Sequence, residues 1–338
     1  MRRLFAALAA LPLVASVGVA RAETRLVFAT TVPGSTSINA EFLHPWAEAV
    51  NKAGAGVVTI DTRDGPTIAS GSNFYSRVLE DVVQIAWGIQ NSVGGKFPRS
   101  SIAGLPSLAP DSETGSVAFW RLYKSGALDA EYKDIVPLML VALPQSELHL
   151  TRAPKQPTDL TGLKVASTSR LNSLVVAQVG ATPLSVVNSD LYQSLQRHTA
   201  DAATMTWTGF PIFKLGEVSS VHLAAPLGGS TGMVFMTKAK FDSLPQEARD
   251  VLMKVSGEEA SRRFGAWFDQ SEKHASDEVA ADPKHTIIHL DATQRAAWTK
   301  EISPVLDKWA AEIDGGPDVL ARMRSLVATD RKVEAGSR

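Results

Sequence analysis

Short apolar runs alternate with amphipathic stretches along most of this chain, and that alternation restricts its fold more than any other feature. Leu26-Val-Phe-Ala-Thr30 is β-branched and aromatic, the composition of a buried strand. Ile38, Phe42, Trp46 and Val50 then recur every fourth residue, which makes one face of a helix. Gly54-Ala-Gly56 ends it, and Val57-Val-Thr-Ile60 begins a second strand. The rhythm continues with a helix around Phe74–Val82, a strand at Ile85–Gly88 and a helix near Ser116–Lys124. Strands separated by helices pair as a largely parallel sheet covered by those helices, so the fold class is α/β.

A second block of the same kind follows Val136-Pro-Leu-Met-Leu-Val-Ala-Leu143. Leu163–Ala166, Pro183–Val187 and Ala202–Thr206 read as strands. Leu171–Val179 and Ser189–Gln196 read as helices, the latter with Ser189 as N-cap. Gly228-Gly-Ser-Thr-Gly232 lacks the lysine of a phosphate-binding loop and leads into the strand Met233–Met236, so it is read as a tight turn. From Leu244 onward the texture is helical. Ser243-Leu-Pro-Gln246 has the form of a capping box opening a run to about Val279, with Gly257 and Gly265 inside it as sites of a kink or a tight contact. After a short strand from Thr286 to Leu290, Asp291-Ala-Thr-Gln294 is a second cap, and Trp298, Ile302, Val305 and Trp309 form a buried face. The expected architecture is two α/β lobes, joined by strands or short hinges and tied by long C-terminal helices. Residues 23–147 with 232–284 form lobe I, and 148–231 with 285–338 form lobe II.

The chain opens Met1-Arg-Arg3, runs apolar from Leu4 to Ala20 and closes with Ala20-Arg-Ala22. A charged start, an apolar stretch and a small-x-small site are the parts of a secretory signal peptide, so residues 1–22 are excluded from the fold, with cleavage expected after Ala22. No later stretch is apolar for long enough to span a bilayer. Its 34 basic and 35 acidic residues lack the basic excess of a nucleic-acid binder, and the absence of cysteine excludes disulfides, thiolate metal sites and a cysteine nucleophile.

Catalytic signatures are absent as well: no Gly-x-Ser-x-Gly, His-Glu-x-x-His, Walker loop or dinucleotide fingerprint occurs. The seven histidines have no metal-ligand spacing; His285 and His289 are four apart, but across a strand-like Thr-Ile-Ile. Neither a cofactor nor a metal is implied. An exported two-lobe chain without a catalytic signature suggests a ligand-binding protein.

Several segments sharpen this. Leu26-Val-Phe-Ala-Thr-Thr-Val-Pro33 leads to Pro45-Trp-Ala-Glu48; Ile85-Ala-Trp-Gly-Ile-Gln90, Lys96-Phe-Pro98 and Glu131-Tyr-Lys-Asp134 follow. Then come Asp159-Leu-Thr-Gly-Leu-Lys-Val165, Gly180-Ala-Thr-Pro183, Leu191-Tyr-Gln-Ser-Leu195, Phe213–Val218 and Met236–Pro245. In this order and spacing, from about Leu26 to about Ala275, the chain resembles the DctP-like solute-binding proteins of tripartite ATP-independent periplasmic (TRAP) transporters. The resemblance implies a periplasmic binding protein-like fold, two α/β lobes with a ligand cleft between them, joined by hinge strands and long C-terminal helices. It also implies a receptor that closes on a small organic acid and delivers it to the small and large membrane subunits of a permease, driven by an ion gradient.

The family's usual carboxylate-binding arginine follows the Gly-Leu-Lys-Ile strand, a place held here by Ala166. Arg170 stands four positions on, at the start of a helix, and a related branch carries Ser-Arg there. Arg170 is therefore the candidate clamp, its planar fork suited to a carboxylate; the alternative is a surface arginine in a solvated loop. By the family's pattern of strand-end residues the other candidates are Thr31, Asn39, Trp87, Gln90, Asn91, Gln145, Trp207 and Phe210. The polar ones would fix ligand hydroxyls. The tryptophans would stack on a ring, pointing to an aromatic or bulky acid, or else pack in the core. Two further departures are His198-Thr-Ala-Asp-Ala202, where the family has glycines, and Gln84, where it has an acid. A receptor for a sensor kinase and a periplasmic enzyme are the alternatives to a transport receptor. Genomic neighbours distinguish the first and turnover of a bound compound the second.

Overall fold

The computed structural model describes residues 23–336; the expected signal peptide lies outside the described residues. Among the described residues eleven strands form two sheets. The first contains β1 (Thr24–Thr30), β2 (Val58–Asp64), β3 (Ile85–Ile89), β4 (Ile135–Ala142) and β10 (Thr231–Thr237), in the order β2-β1-β3-β10-β4. The second contains β5 (Glu147–Leu150), β6 (Lys164–Ser167), β7 (Thr182–Ser185), β8 (Ala202–Met205), β9 (Val221–Ala224) and β11 (Thr286–His289), in the order β11-β9-β5-β8-β6-β7.

Both sheets are mixed, where largely parallel ones were expected. β10 runs antiparallel to β3 and β4, and β5 runs antiparallel to β8 and β9. These are the two strands that receive the chain as it crosses from one lobe to the other. A helical crossover inside a lobe returns the next strand parallel; a short direct connection from the other sheet does not require it. The connections between the sheets occupy residues 143–146 and 225–230; the boundaries expected from the sequence are at 147/148 and 231/232.

The C-terminal division differs. Trp298, Ile302 and Val305 enter the lobe II core, but Leu306, Trp309, Val319, Leu320 and Met323 enter the lobe I core beside Phe119 and Leu122. Thus 285–338 is not one lobe II segment: the chain returns to lobe I within the helix Pro304–Glu312, and Gly316–Gly336 packs on Ser112–Lys124. Periodicity shows that these residues are buried without showing in which core.

The expected run from Ser243 to Val279 is also divided. Ser243 donates to the Lys240 carbonyl and makes no box; Pro245 is the N-cap of Gln246–Lys254, and a new helix starts after Ser256. Gly257 is at φ +81°, a backbone state that glycine adopts without strain, and it marks this break. Gly265 lies within the long helix Gly257–Ala281 where a Cβ would collide with the Ser112 carbonyl, so glycine there permits close packing on Ser112–Lys124. Ser189 lies in a 3-10 turn, and Asp190 precedes the helix Leu191–Gln196 in its place. The Asp291–Gln294 box forms with both reciprocal hydrogen bonds. Among the described residues no helix is long and apolar enough to cross a membrane.

Candidate functional site

A cleft of about 410 Å³ opens between the lobes. Lobe I contributes Gln90 and Asn91 at the end of β3, with Phe97, Pro98 and Ser101 from the following loop. Lobe II contributes Thr168 to Leu171 and Leu174, where β6 gives way to the helix Arg170–Gln178. Trp309 and Ile313, at the end of the helix Pro304–Glu312, close one side. Strand ends and helix starts converge here, and in open α/β sheets the crevice outside the carboxyl ends of the strands is where ligands bind.

Ser169 caps the helix Arg170–Gln178 by accepting from the Asn172 amide at 3.0 Å. The Asn172 side chain in turn donates to the carbonyls of Leu227 and Gly228, tying the helix start to the crossover. Arg170 is the first helical residue and the one charged residue lining the cleft among those described. Its side chain is 66% exposed and is paired with Glu312. An exposed pair of this kind contributes about 0–1 kcal/mol, so Glu312 is an exchangeable partner. Phe97, Leu171, Leu174, Trp309 and Ile313 supply the large apolar side chains of the wall. The cleft thus combines apolar side chains with one exposed cation.

Gln90 is only 2% exposed. Its Nε2 donates to the Tyr132 hydroxyl at 2.6 Å and lies 3.5 Å from the Met233 sulfur. Tyr132 in turn contacts Ser100 Oγ at 3.0 Å, and Ser100 Oγ donates to Glu131 at 2.6 Å. Burial raises the Glu131 carboxyl pKa, opposed by hydrogen bonds from the Ser100 hydroxyl and from the Arg99 and Ser100 amides. Burial likewise pushes the Tyr132 phenol far up.

A second groove, of about 330 Å³, runs along the crossings and is lined by Gln145, Glu147, Trp207, Asp269, Glu272 and Arg295 among others. Gln145 Oε1 accepts from the Gly228 amide, and Trp207 donates from Nε1 to Glu147 at 2.7 Å. Burial pushes Glu147 up to about 7. Phe210 lies deeper, against three histidines from β5, β9 and the approach to β11. The Met205 carbonyl can only accept, so His149 donates to it from Nε2 at 3.1 Å and accepts at Nδ1. His222 then donates from Nδ1 to His149 and accepts at Nε2 from His285 Nδ1, both at 3.0 Å. Burial holds His149 down to about 4 and His222 to about 3, so these two rings are neutral.

The nine candidates therefore divide. Arg170, Gln90 and Asn91 meet in the cleft, with Asn91 donating to Ser230. Gln145 and Trp207 line the second groove, and Phe210 packs on the histidine row. Trp87, 3% exposed in the middle of β3, packs under the long helix with its ring 4.8 Å from that of Phe264. Asn39 is buried and donates to Thr30, Asp64 and two loop carbonyls, so it holds the β1 loop together. Thr31 is half-buried in that loop. Trp87 is a mid-strand residue and not the terminal one expected, because β3 continues to Ile89. Trp309 and Phe97 line the cleft without having been expected there. Their only signal in the sequence is inclusion in a helical face and in the Lys96-Phe-Pro98 segment, and both signals equally suit a core residue.

Residues 28–312 match the family model described as DctP, bacterial extracellular solute-binding protein, family 7. A solute-binding protein of Albidiferax ferrireducens is 25% identical over 236 residues, 67% of this chain and 69% of the relative. The C4-dicarboxylate-binding periplasmic protein DctP of Rhodobacter capsulatus is 29% identical over 175 residues, about half of each chain (51% and 51%). Among solved structures, a TRAP solute-binding protein of Rhodoferax ferrireducens in complex with copurified benzoate superposes with a TM-score of 0.82. It is 24% identical, covering 92% of this chain and 99% of that one.

Proposed function

The chain belongs to the DctP family of bacterial extracellular solute-binding proteins, and on that premise we propose that it is the periplasmic receptor of a TRAP transporter for a small, flat organic acid. The observation that carries this reading is the interlobe cleft, with apolar walls and Arg170 as its one charged lining residue among those described. Its volume, about 410 Å³, suits a monocyclic acid rather than a large substrate. Benzoate in the Rhodoferax structure supports an aromatic acid as ligand.

In this mechanism the apolar body of the acid enters between Phe97 and Trp309 on one side and Leu171 and Leu174 on the other. Its carboxylate takes the place of Glu312 on Arg170. Lobe closure then removes water, which strengthens a charge-assisted hydrogen bond that is weak in the open, solvated cleft. The closed form would be handed to a pair of membrane subunits, with the signal-like residues 1–22 directing export. The ligand is returned chemically unchanged.

Calorimetric titration with benzoate and other monocyclic acids tests the reading. Arg170→Ala should weaken binding of every acid by tenfold or more, about 1.4 kcal/mol, while the amides of the same compounds bind neither form. Equal affinity in both proteins, or recovery of a converted compound after incubation, would overturn it.

A further inference from the structure

We infer that Asn172 is a positioning residue for the acid site: it fastens the start of the helix Arg170–Gln178 to the connection between the lobes and so sets where the Arg170 guanidinium stands. This rests on the reading of Arg170 as the carboxylate clamp. The Arg170 side chain is 66% exposed and its pairing with Glu312 is weak, so its place is set mainly by the backbone of the first helical turn. Asn172 belongs to that turn, is 2% exposed and does not line the cleft. It therefore acts on a ligand only through its neighbours.

Every polar group of the Asn172 side chain is engaged. The Leu227 and Gly228 carbonyls can only accept, so Nδ2 faces them and donates one hydrogen to each at 3.0 Å, while Oδ1 accepts from the Ser169 hydroxyl at 2.8 Å. Both carbonyls belong to the connection itself, residues 225–230. Gly228 also accepts from the Ser146 amide on the other connection and donates to Gln145, and Gly229 donates to the Gly104 carbonyl of lobe I at 2.8 Å. The anchor of Asn172 is thus one residue from a direct hold on lobe I. Leu171 agrees with this placement, since it packs against both the lobe I and the lobe II core. Gly228, at φ +89°, brings the chain so close to Leu171 that a Cβ would lie 2.8 Å from that side chain. Leu171 and Asn172 together seat the clamp's helix at the boundary of the lobes. The amide fixes its direction there, because a buried hydrogen bond left unmade is costly.

A double-mutant cycle on benzoate affinity, read by calorimetry, tests this. Asn172→Ala should weaken benzoate binding about tenfold when Arg170 is present. In the Arg170→Ala background the same substitution should change it by less than about threefold, because there is no guanidinium left to displace. A general loosening of the cleft would cost the same factor in both backgrounds. That result, or unchanged affinity in Asn172→Ala alone, would overturn the inference while leaving the acid receptor standing. Equal binding of benzoate by the unaltered and Arg170→Ala proteins, or none by either, would overturn the clamp and this inference with it. Asn172→Ser, a smaller polar change, carries the same cycle and the same criteria where the Asn172→Ala chain does not fold.

Discussion

Asp269 and Glu272 lie one turn apart on the long helix, yet they hold opposite lobes. Asp269 accepts from the amides of Ser112 and Glu113 at 2.9 Å each, at the start of the lobe I helix Ser112–Lys124. Glu272 accepts from the amides of Trp207 and Thr208 at 2.7 and 2.8 Å and from the Thr208 hydroxyl, just beyond β8 in lobe II. One helix therefore fastens both lobes through carboxylates that satisfy backbone donors, and neither needs a cation. Burial raises the pKa of both, and the hydrogen bonds oppose that rise.

Replacing Glu272 by Gln removes the negative charge that these donors face. The cost should be about 1–3 kcal/mol of stability, seen as a melting temperature lower by several degrees. Asp269→Asn should cost a similar amount. If Glu272 serves only as an exposed surface acid, calorimetric melting of the Gln variant will match the unaltered protein.

If Arg170 is the clamp proposed above, its partner Glu312 competes with a bound carboxylate. Glu312→Gln should therefore raise acid affinity, by up to about fivefold if the exposed pair contributes at most about 1 kcal/mol. Titration of the variant with benzoate checks this, and a lower affinity would mean that Glu312 orients the guanidinium instead of occupying it.

Stability should depend on pH through two opposed groups of residues. His149 and His222 bind a proton less readily in the fold, at about 4 and about 3, than at the ordinary 6.5 of an unfolded chain. Protonation thus favours unfolding, and the stability they confer is complete above 6.5 and lost as pH falls towards 4. Glu147 runs the other way: its folded value of about 7 exceeds the ordinary 4.5, so its contribution is complete below 4.5 and is lost as pH rises through 7. Glu147→Gln keeps an acceptor for Trp207 and removes the opposing trend. Between pH ~5 and ~7 its urea midpoint should climb more steeply with pH than that of the unaltered chain. Parallel profiles would show that Glu147 is charged in the fold.

Trp309 lines the cleft, with its Nε1 donating to Ser101 at 2.8 Å, whereas Trp87 is enclosed beneath the long helix. A bound acid should alter intrinsic fluorescence through Trp309. Trp309→Phe should abolish most of the change and Trp87→Phe should preserve it; the reverse pattern would place the ligand elsewhere.

Much of the fold follows from local pattern. Alternating strands and helices, the Asp291 capping box and the buried faces containing Trp46, Val50, Trp298 and Trp309 all rest on periodicity and turn chemistry that act within a few residues. What local pattern does not contain is which surface an apolar face meets. Trp298 and Trp309 belong to one periodic run, yet they enter different cores: Val305 still packs in lobe II and Leu306 in lobe I, so the change of core falls within the helix Pro304–Glu312.

The cleft shows the same limit. Arg170, Gln90 and Asn91 stand near strand ends in the sequence pattern, and these three line the cleft. Trp87, Asn39 and Phe210 had similar credentials and became packing or loop-holding residues. The orientation of Gln90 depends on Ser100, Glu131 and Tyr132, and the pairing of Arg170 on Glu312, 142 positions away. The sequence alone determined the class of fold, the two lobes and a short set of candidates, because helix and strand periods act locally. Tertiary structure decided which of them share a cleft, because burial and hydrogen-bond partnership are properties of surfaces brought together from distant parts of the chain.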